Sequence, residues 1–198
     1  MEKPAPHDHP LHELVARRWS PRAFDGRAVS RAQIASLLEA ARWAPSCFNE
    51  QPWRFLVASR EDDAAFTKAL GCLAETNQTW AKNAGVLFFT TAKKTFSRND
   101  KPNRHAPHDI GLAAENLVLQ ALSDGLFAHQ MAGIDVDKIR SEYGVPDDFD
   151  ILTGIAVGHP GDSDDLPEKL RAMEEAERTR KTMAEIAFTG RWEEPFRP

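Results

Sequence analysis

Two arginine-bearing segments stand far apart in the chain: "RRWSPR", holding Arg18, Trp19, Ser20 and Arg22, and "RTR", holding Arg178 and Arg180. Guanidinium forks match phosphate oxygens in pairs, and a neighbouring hydroxyl adds a donor. Brought together, the two segments would form one anion site from opposite ends of the sequence. They also read as solvated charge on two surface segments. A second set lies in "APSCFNEQPW". There Pro45 stops a helix, and Ser46, Asn49 and Gln51 offer hydroxyl and amide groups to the edge of a heterocycle. The alternative is a connector whose polar groups cap the helix and satisfy the turn. The third set is "AHQMAGID", where Met131, Ala132 and Gly133 precede a helix start at Asp135. Small residues there let backbone amides approach a ligand, although a plain helix cap has the same appearance.

Other chemistries find less support. No G-x-G-x-x-G follows a strand and no phosphate-binding P-loop motif is present, so a nicotinamide nucleotide would bind transiently rather than in a Rossmann site. His7, His9 and His12 lie in a proline-rich arm and do not suggest a metal centre. His105 and His108 fall in a long polar loop, open to a substrate contact or simply to solvent. Cys47 has no identifiable base, which leaves it a packing or pocket-lining residue. The net charge of −5 and a pI near 5.8 argue against a nucleic-acid partner. No apolar run approaches the roughly 20 residues of a membrane span, and the start lacks the apolar centre of a secretory signal. With two cysteines, read as free thiols, the chain is expected to be a cytoplasmic protein without a membrane partner.

These groups need a scaffold, and the hydrophobic pattern supplies one. The length of 198 residues suits a single domain, with a loose arm over residues 1–10 and an extended tail over residues 188–198. Leu11, Leu14 and Val15 recur at helical spacing. Ser30 with Gln33 fits a capping box, and Ile34, Leu37, Leu38 and Ala41 form one apolar face behind it. "WRFLVAS", "AGVLFFTTA" and "DILTGIAVG" read as three buried strands. Residues 77–83 read as the end of a helix. The stretch from Asp109 to Gly125 is apolar or small almost all round, as a buried helix would be. The longest candidate loop, "KKTFSRNDKPNRHAPHD", has the character of a functional lid. The charged stretch over residues 168–188 is helical in composition. Strands separated by helices suggest a sheet covered by helices.

Taken in order, "RRWSPRAF", "LLEAARWAPSCFNEQPWRF", "NQTWAKNAGVLFF", "DIGLAAENLVLQALSDGLFAHQMAGID", "ILTGIAVGHP" and "RTRKTMAEI" resemble the nitroreductase family of FMN-dependent oxidoreductases, over residues 11–192. The resemblance implies an α+β, three-layer fold with a mostly antiparallel central sheet flanked by helices, and a C-terminal extension exchanged across a homodimer. It implies that Arg18, Trp19, Ser20 and Arg22 hold flavin phosphate and ribityl groups, with Arg178 and Arg180 closing on the phosphate. Asn77 would address the pyrimidine edge, Met131 one flavin face, and the amides of Ala132 and Gly133 the N5 and O4 region. Pro45, Ser46, Cys47 and Asn49 would reach the flavin held mainly by the other subunit. Phe48, Trp80 and His105 would line the substrate pocket. Trp80 stands where several members carry lysine, Ala132 where some carry an acid, and Cys47 where serine is frequent. The implied reaction is ping-pong: NADH or NADPH reduces FMN and leaves, and a nitroaromatic, quinone or related acceptor then takes its place. A flavin carrier or sensor without turnover, a specialised flavin dehydrogenase of the same fold and a flavin-free helical interaction protein are the rival readings.

Overall fold

The computed structural model describes residues 2–196, so the first residue of the expected arm and the last two of the expected tail lie outside the described residues. Four strands, β1 (Trp53–Ser59), β2 (Val86–Lys93), β3 (Phe127–Met131) and β4 (Phe149–Gly158), form one sheet in the order β1-β2-β4-β3. Every neighbouring pair is antiparallel. β2 is buried along nearly its whole length, because its alternate side chains enter two different cores. Val86 and Phe88 pack with Ile34, Leu37 and Ala41 of α2 (Arg31–Arg42) and Ile110, Ala113 and Leu117 of α5 (Ala106–Ser123). Leu87 and Phe89 point the other way, onto Phe66 of α3 (Asp63–Leu70), Trp80 of α4 (Glu75–Ala81) and Ile139 of α6 (Val136–Tyr143). The result is the expected three layers, helices on both faces of an antiparallel sheet.

Local sequence explains most boundaries. The Ser30–Gln33 capping box forms in full, and Pro21 and Pro45, within four residues of the ends of α1 (Glu13–Arg17) and α2, keep the chain from resuming helix there. Three expectations are corrected. β3 is a strand that the alternation of "FAHQM" signals too weakly, since the consecutive polar residues His129, partly buried, and Gln130, exposed, interrupt it. The charged stretch is not one helix: α7 (Glu168–Glu175) stops, an extended run carries the "RTR" arginines, and α8 (Met183–Ile186) follows. Tertiary contacts overrule helical composition there, because Lys3 Nζ takes the carbonyls of Glu174 and Ala176 at the end of α7. The described tail is also not extended. Phe188 pairs with Pro195, Gly190 turns the chain at φ 78°, and Trp192 folds onto Phe188 with ring centroids 4.9 Å apart.

Candidate functional site

The arginine segments meet. Arg18, Trp19, Ser20, Arg22, Arg178 and Arg180 line one cleft of about 370 Å³, together with Lys3, Glu174 and Glu177. The loop after α1 is held at its base by Glu174, a carboxylate with 2% exposure that accepts from the amides of Arg22 (2.9 and 3.0 Å) and Ala23 (3.1 Å). Buried charge demands such partners. The Arg22 guanidinium stays 3.9 Å from the same carboxylate. Arg18 sits 3.5 Å from the Ser20 hydroxyl and 4.0 Å from Glu115. Arg178 departs from the expected role of phosphate ligand. Its Nη1 donates to the carbonyls of Lys3 (2.6 Å) and Ala16 (2.9 Å) and its Nη2 to that of Arg18 (2.8 Å). It is a tether between the C-terminal segment and the arginine loop, whereas the exposed Arg180 has, among the described residues, only the neighbouring Thr179 carbonyl. Burial, then the like charges of Arg18 and Arg180, pull the Arg178 pKa below its ordinary value. Crowding of this kind marks a surface that favours an anion.

A line of contacts runs from this cleft to the third candidate set. His129 on β3 places Nδ1 3.0 Å from the Pro21 carbonyl and its ring 4.6 Å from that of Trp80. Burial, then the charge of Arg22, drives its pKa down to about 4. The imidazole is therefore neutral near pH 7, with Nδ1–H donating to Pro21. Trp80 is 1% exposed, so it is a core residue joining β3 to α4 and not the pocket-lining side chain expected of it. One turn earlier on α4, Asn77 Nδ2 donates to the Gly133 carbonyl at 3.0 Å. A Cβ on Gly133 would lie 2.5 Å from that Nδ2, so a larger residue there would displace the Asn77 amide from this position. Met131 is buried beside Gly154, while Ala132 is exposed.

The turn after α2 is built differently. Phe48, Asn49 and Gln51 adopt left-handed φ values of 54°, 55° and 50°, a conformation that costs about 1 kcal/mol or more at each non-glycine residue. Anchors hold it there. The Cys47 amide donates to Asp109 Oδ2 at 3.0 Å, and the Gln51 amide donates to Ser46 Oγ at 3.0 Å. Asp109 is 2% exposed, in the first turn of α5. Phe48 is pushed out to 71% exposure. Among the described residues, no hydrogen bond or ion pair joins this turn to the arginine cleft. His105 caps α5 through its backbone only.

The family model described as "Nitroreductase family" matches residues 15–159, which contain the loop, the turn, the sheet and α5. The chain belongs to the nitroreductase family. Among solved structures, the chain is 37% identical to one described as an oxidoreductase containing FMN, with a TM-score of 0.90 over 94% of this chain and 95% of that one. A nitroreductase family protein of Clostridium difficile 630, 24% identical with a TM-score of 0.71 over 92% and 99% of the two chains, shares the fold. An uncharacterised 15.4 kDa protein of Mycolicibacterium smegmatis is 35% identical over 68% of this chain and 88% of its own length. A putative NADH dehydrogenase/NAD(P)H nitroreductase of Archaeoglobus fulgidus is 27% identical over 79% and 88%.

Three supports of the candidate site carry little or no mark in the sequence: Glu174, His129 and Asp109. Only Asp109 left a signal, as a carboxylate at the head of a helix otherwise apolar on most faces. Glu174 is one acid among many in α7, and its burial depends on the arginine loop 152 residues away.

Proposed function

We propose that the chain is an FMN-dependent oxidoreductase that takes electrons from NAD(P)H and passes them, in a ping-pong sequence, to nitroaromatic, quinone or related small-molecule acceptors. The observation that carries this reading is the single cleft formed by Arg18, Ser20, Arg22 and Arg180, linked through His129 and Trp80 to the Asn77–Gly133 contact. The residues fit the cofactor: crowded guanidiniums suit a phosphate dianion, and a glycine cradle with a side-chain amide suits the edge of a flat heterocycle. Arg18, Ser20, Arg22 and Arg180 would hold phosphate and ribityl oxygens, with Arg178 keeping the loop in place. Asn77, Met131 and the amides of Ala132 and Gly133 would hold the ring system. When bound, FMN supplies reversible two-electron chemistry, and the chain supplies orientation, donors fixed where charge gathers, and exclusion of water. No side-chain general base is required.

The separation of the turn from the cleft within one chain supports a homodimer in which Pro45, Ser46, Cys47 and Asn49 serve the partner's cofactor. The exposed Trp192 and Phe196 are apolar surface of the kind that a partner subunit covers. The test is the visible spectrum of the purified protein under anaerobic conditions, before and after NADPH and then NADH. Flavin bands at about one FMN per chain that bleach on reduction are expected. Bands that persist with both nucleotides would refute NAD(P)H as donor, and a colourless protein that takes up no added FMN would refute the whole reading.

A further inference from the structure

The end of β2 and the loop that leads to α5, residues 93–104, carry Lys93, Lys94, Arg98, Lys101 and Arg104 against one acid, Asp100, in a chain of net charge −5. Charge of the opposite sign to the molecule as a whole is concentrated on one segment. That segment is ordered: Phe96 is buried and its amide bonds to the Lys101 carbonyl (2.9 Å), Thr95 bridges to Pro102, and the Asn103 amide bonds to the Lys94 carbonyl (2.7 Å). It is also stapled to the strained turn. Glu50 accepts from the Ser97 amide at 2.8 Å and from the Ser97 hydroxyl. Phe48 and Phe96 meet edge to face, with centroids 6.0 Å apart.

Over these rings lies Arg98, its Cζ 4.0 Å from the centroid of Phe48 and 5.4 Å from that of Phe96. Among the described residues, Arg98 has no ion-pair partner within 4.0 Å; the nearby Glu50 takes both Ser97 donors on Oε1 and attracts Lys93 and Arg98 only at longer range. A guanidinium stacked on a ring keeps its N–H edge free. The exposed ring and the preorganised cation therefore form one platform, with Lys93 at the end of β2 and Lys101 on the loop adding to the positive field.

We propose that Phe48, Phe96 and Arg98 form a specificity element that selects ligands bearing an anionic group beside an aromatic ring. The proposal rests on the reading of residues 45–49 as a cofactor-facing turn, which puts this platform at the mouth of the site. Two ligand sources share that chemistry: the phosphate-bearing donor NADPH, and an acceptor such as a nitrobenzoate. Because Arg98 is exposed and supports no backbone group, Arg98→Gln leaves the fold and the FMN content per chain unchanged.

Calorimetric titration of the purified protein with 4-nitrobenzoate and with its neutral isostere 4-nitrobenzamide, then with NADPH and with NADH, needs no turnover. Wild-type protein is expected to bind the more anionic member of at least one pair roughly tenfold more tightly, and Arg98→Gln to remove that preference while leaving the other member within about twofold. Loss on the benzoate pair assigns the platform to the acceptor, and loss on the nucleotide pair to the donor. Absence of any preference in the wild type, equal weakening of both members, a preference surviving in Arg98→Gln, or no binding of any of the four overturns the proposal. Failure of the flavin reading has a separate signature, a protein without a reducible flavin spectrum.

Discussion

The arginine cleft and the turn over residues 45–51 sit in one nitroreductase chain and are held in opposite ways. The cleft is assembled from ends of the chain more than 150 residues apart, through bonds from Arg178 to three carbonyls and from two amides to Glu174. Its cost is electrostatic, since burial and then the like charges of Arg18 and Arg180 depress the pKa of Arg178. The turn is local. Its cost is conformational, in three left-handed residues out of four, and a buried carboxylate reaches in to fix it. A site that receives a charged ligand can store repulsion that the ligand relieves, whereas a turn that must present side chains to a flat surface stores backbone strain instead.

That contrast is tested first by removing charge. Arg22 and Arg180 are proposed to meet the phosphate directly, each through charge-assisted bonds worth about 1.5–3 kcal/mol. The double change Arg22→Ala and Arg180→Ala should weaken FMN at least about 100-fold in a fluorescence titration, with the turn untouched. An affinity within about tenfold of wild type would break the assignment of the cleft to the cofactor phosphate.

The next largest effect concerns the support behind the arginine loop. His129 titrates at about 4 in the fold, below its ordinary value, because burial and then Arg22 disfavour the imidazolium. Between pH 6.5 and 4 the unfolded chain therefore binds the additional proton. The stability tied to neutral His129 is fully present above pH 6.5 and is lost as pH falls toward 4, on the order of 3 kcal/mol in total. Urea unfolding at pH 7 and at pH 4.5 should show this fall in the wild type and a shallower one in His129→Gln. Equal slopes would remove His129 as the link between β3 and the arginine loop.

The same contrast explains what the sequence disclosed. Strands β1, β2 and β4, the capping box of α2 and the buried character of α5 are properties of short windows, and local patterns report them faithfully. The arginine segments could be named as an anion site because their residue types are specific, yet the tether role of Arg178 was invisible, since its partners are backbone carbonyls that carry no identity. The resemblance puts Trp80 at the pocket because it stands where several members carry lysine. One position further round α4 decides whether an indole faces a ligand or His129, and three residues of spacing do not fix that. The break between α7 and α8 was hidden because a composition rich in Glu, Lys and Arg supports helix until Lys3, from the other end of the chain, takes its terminal carbonyls.

The smallest expected effect bears on the turn. If strain there is held by Asp109, then Asp109→Ala leaves the Cys47 amide without its acceptor and should cost about 1–3 kcal/mol. Asp109→Asn keeps an oxygen in place and should cost less than about 1 kcal/mol, because the bond needs an acceptor rather than a charge. Urea midpoints give both numbers, but a global loss alone would not place the damage. Hydrogen exchange does: in Asp109→Ala the amides of Cys47 and Gln51 should exchange faster, while those in the middle of α5 stay protected, since local opening needs only the turn to relax. Uniform acceleration through α5 would mean that the carboxylate supports the helix start instead, and that the left-handed residues are held by the Glu50–Ser97 staple on the other side.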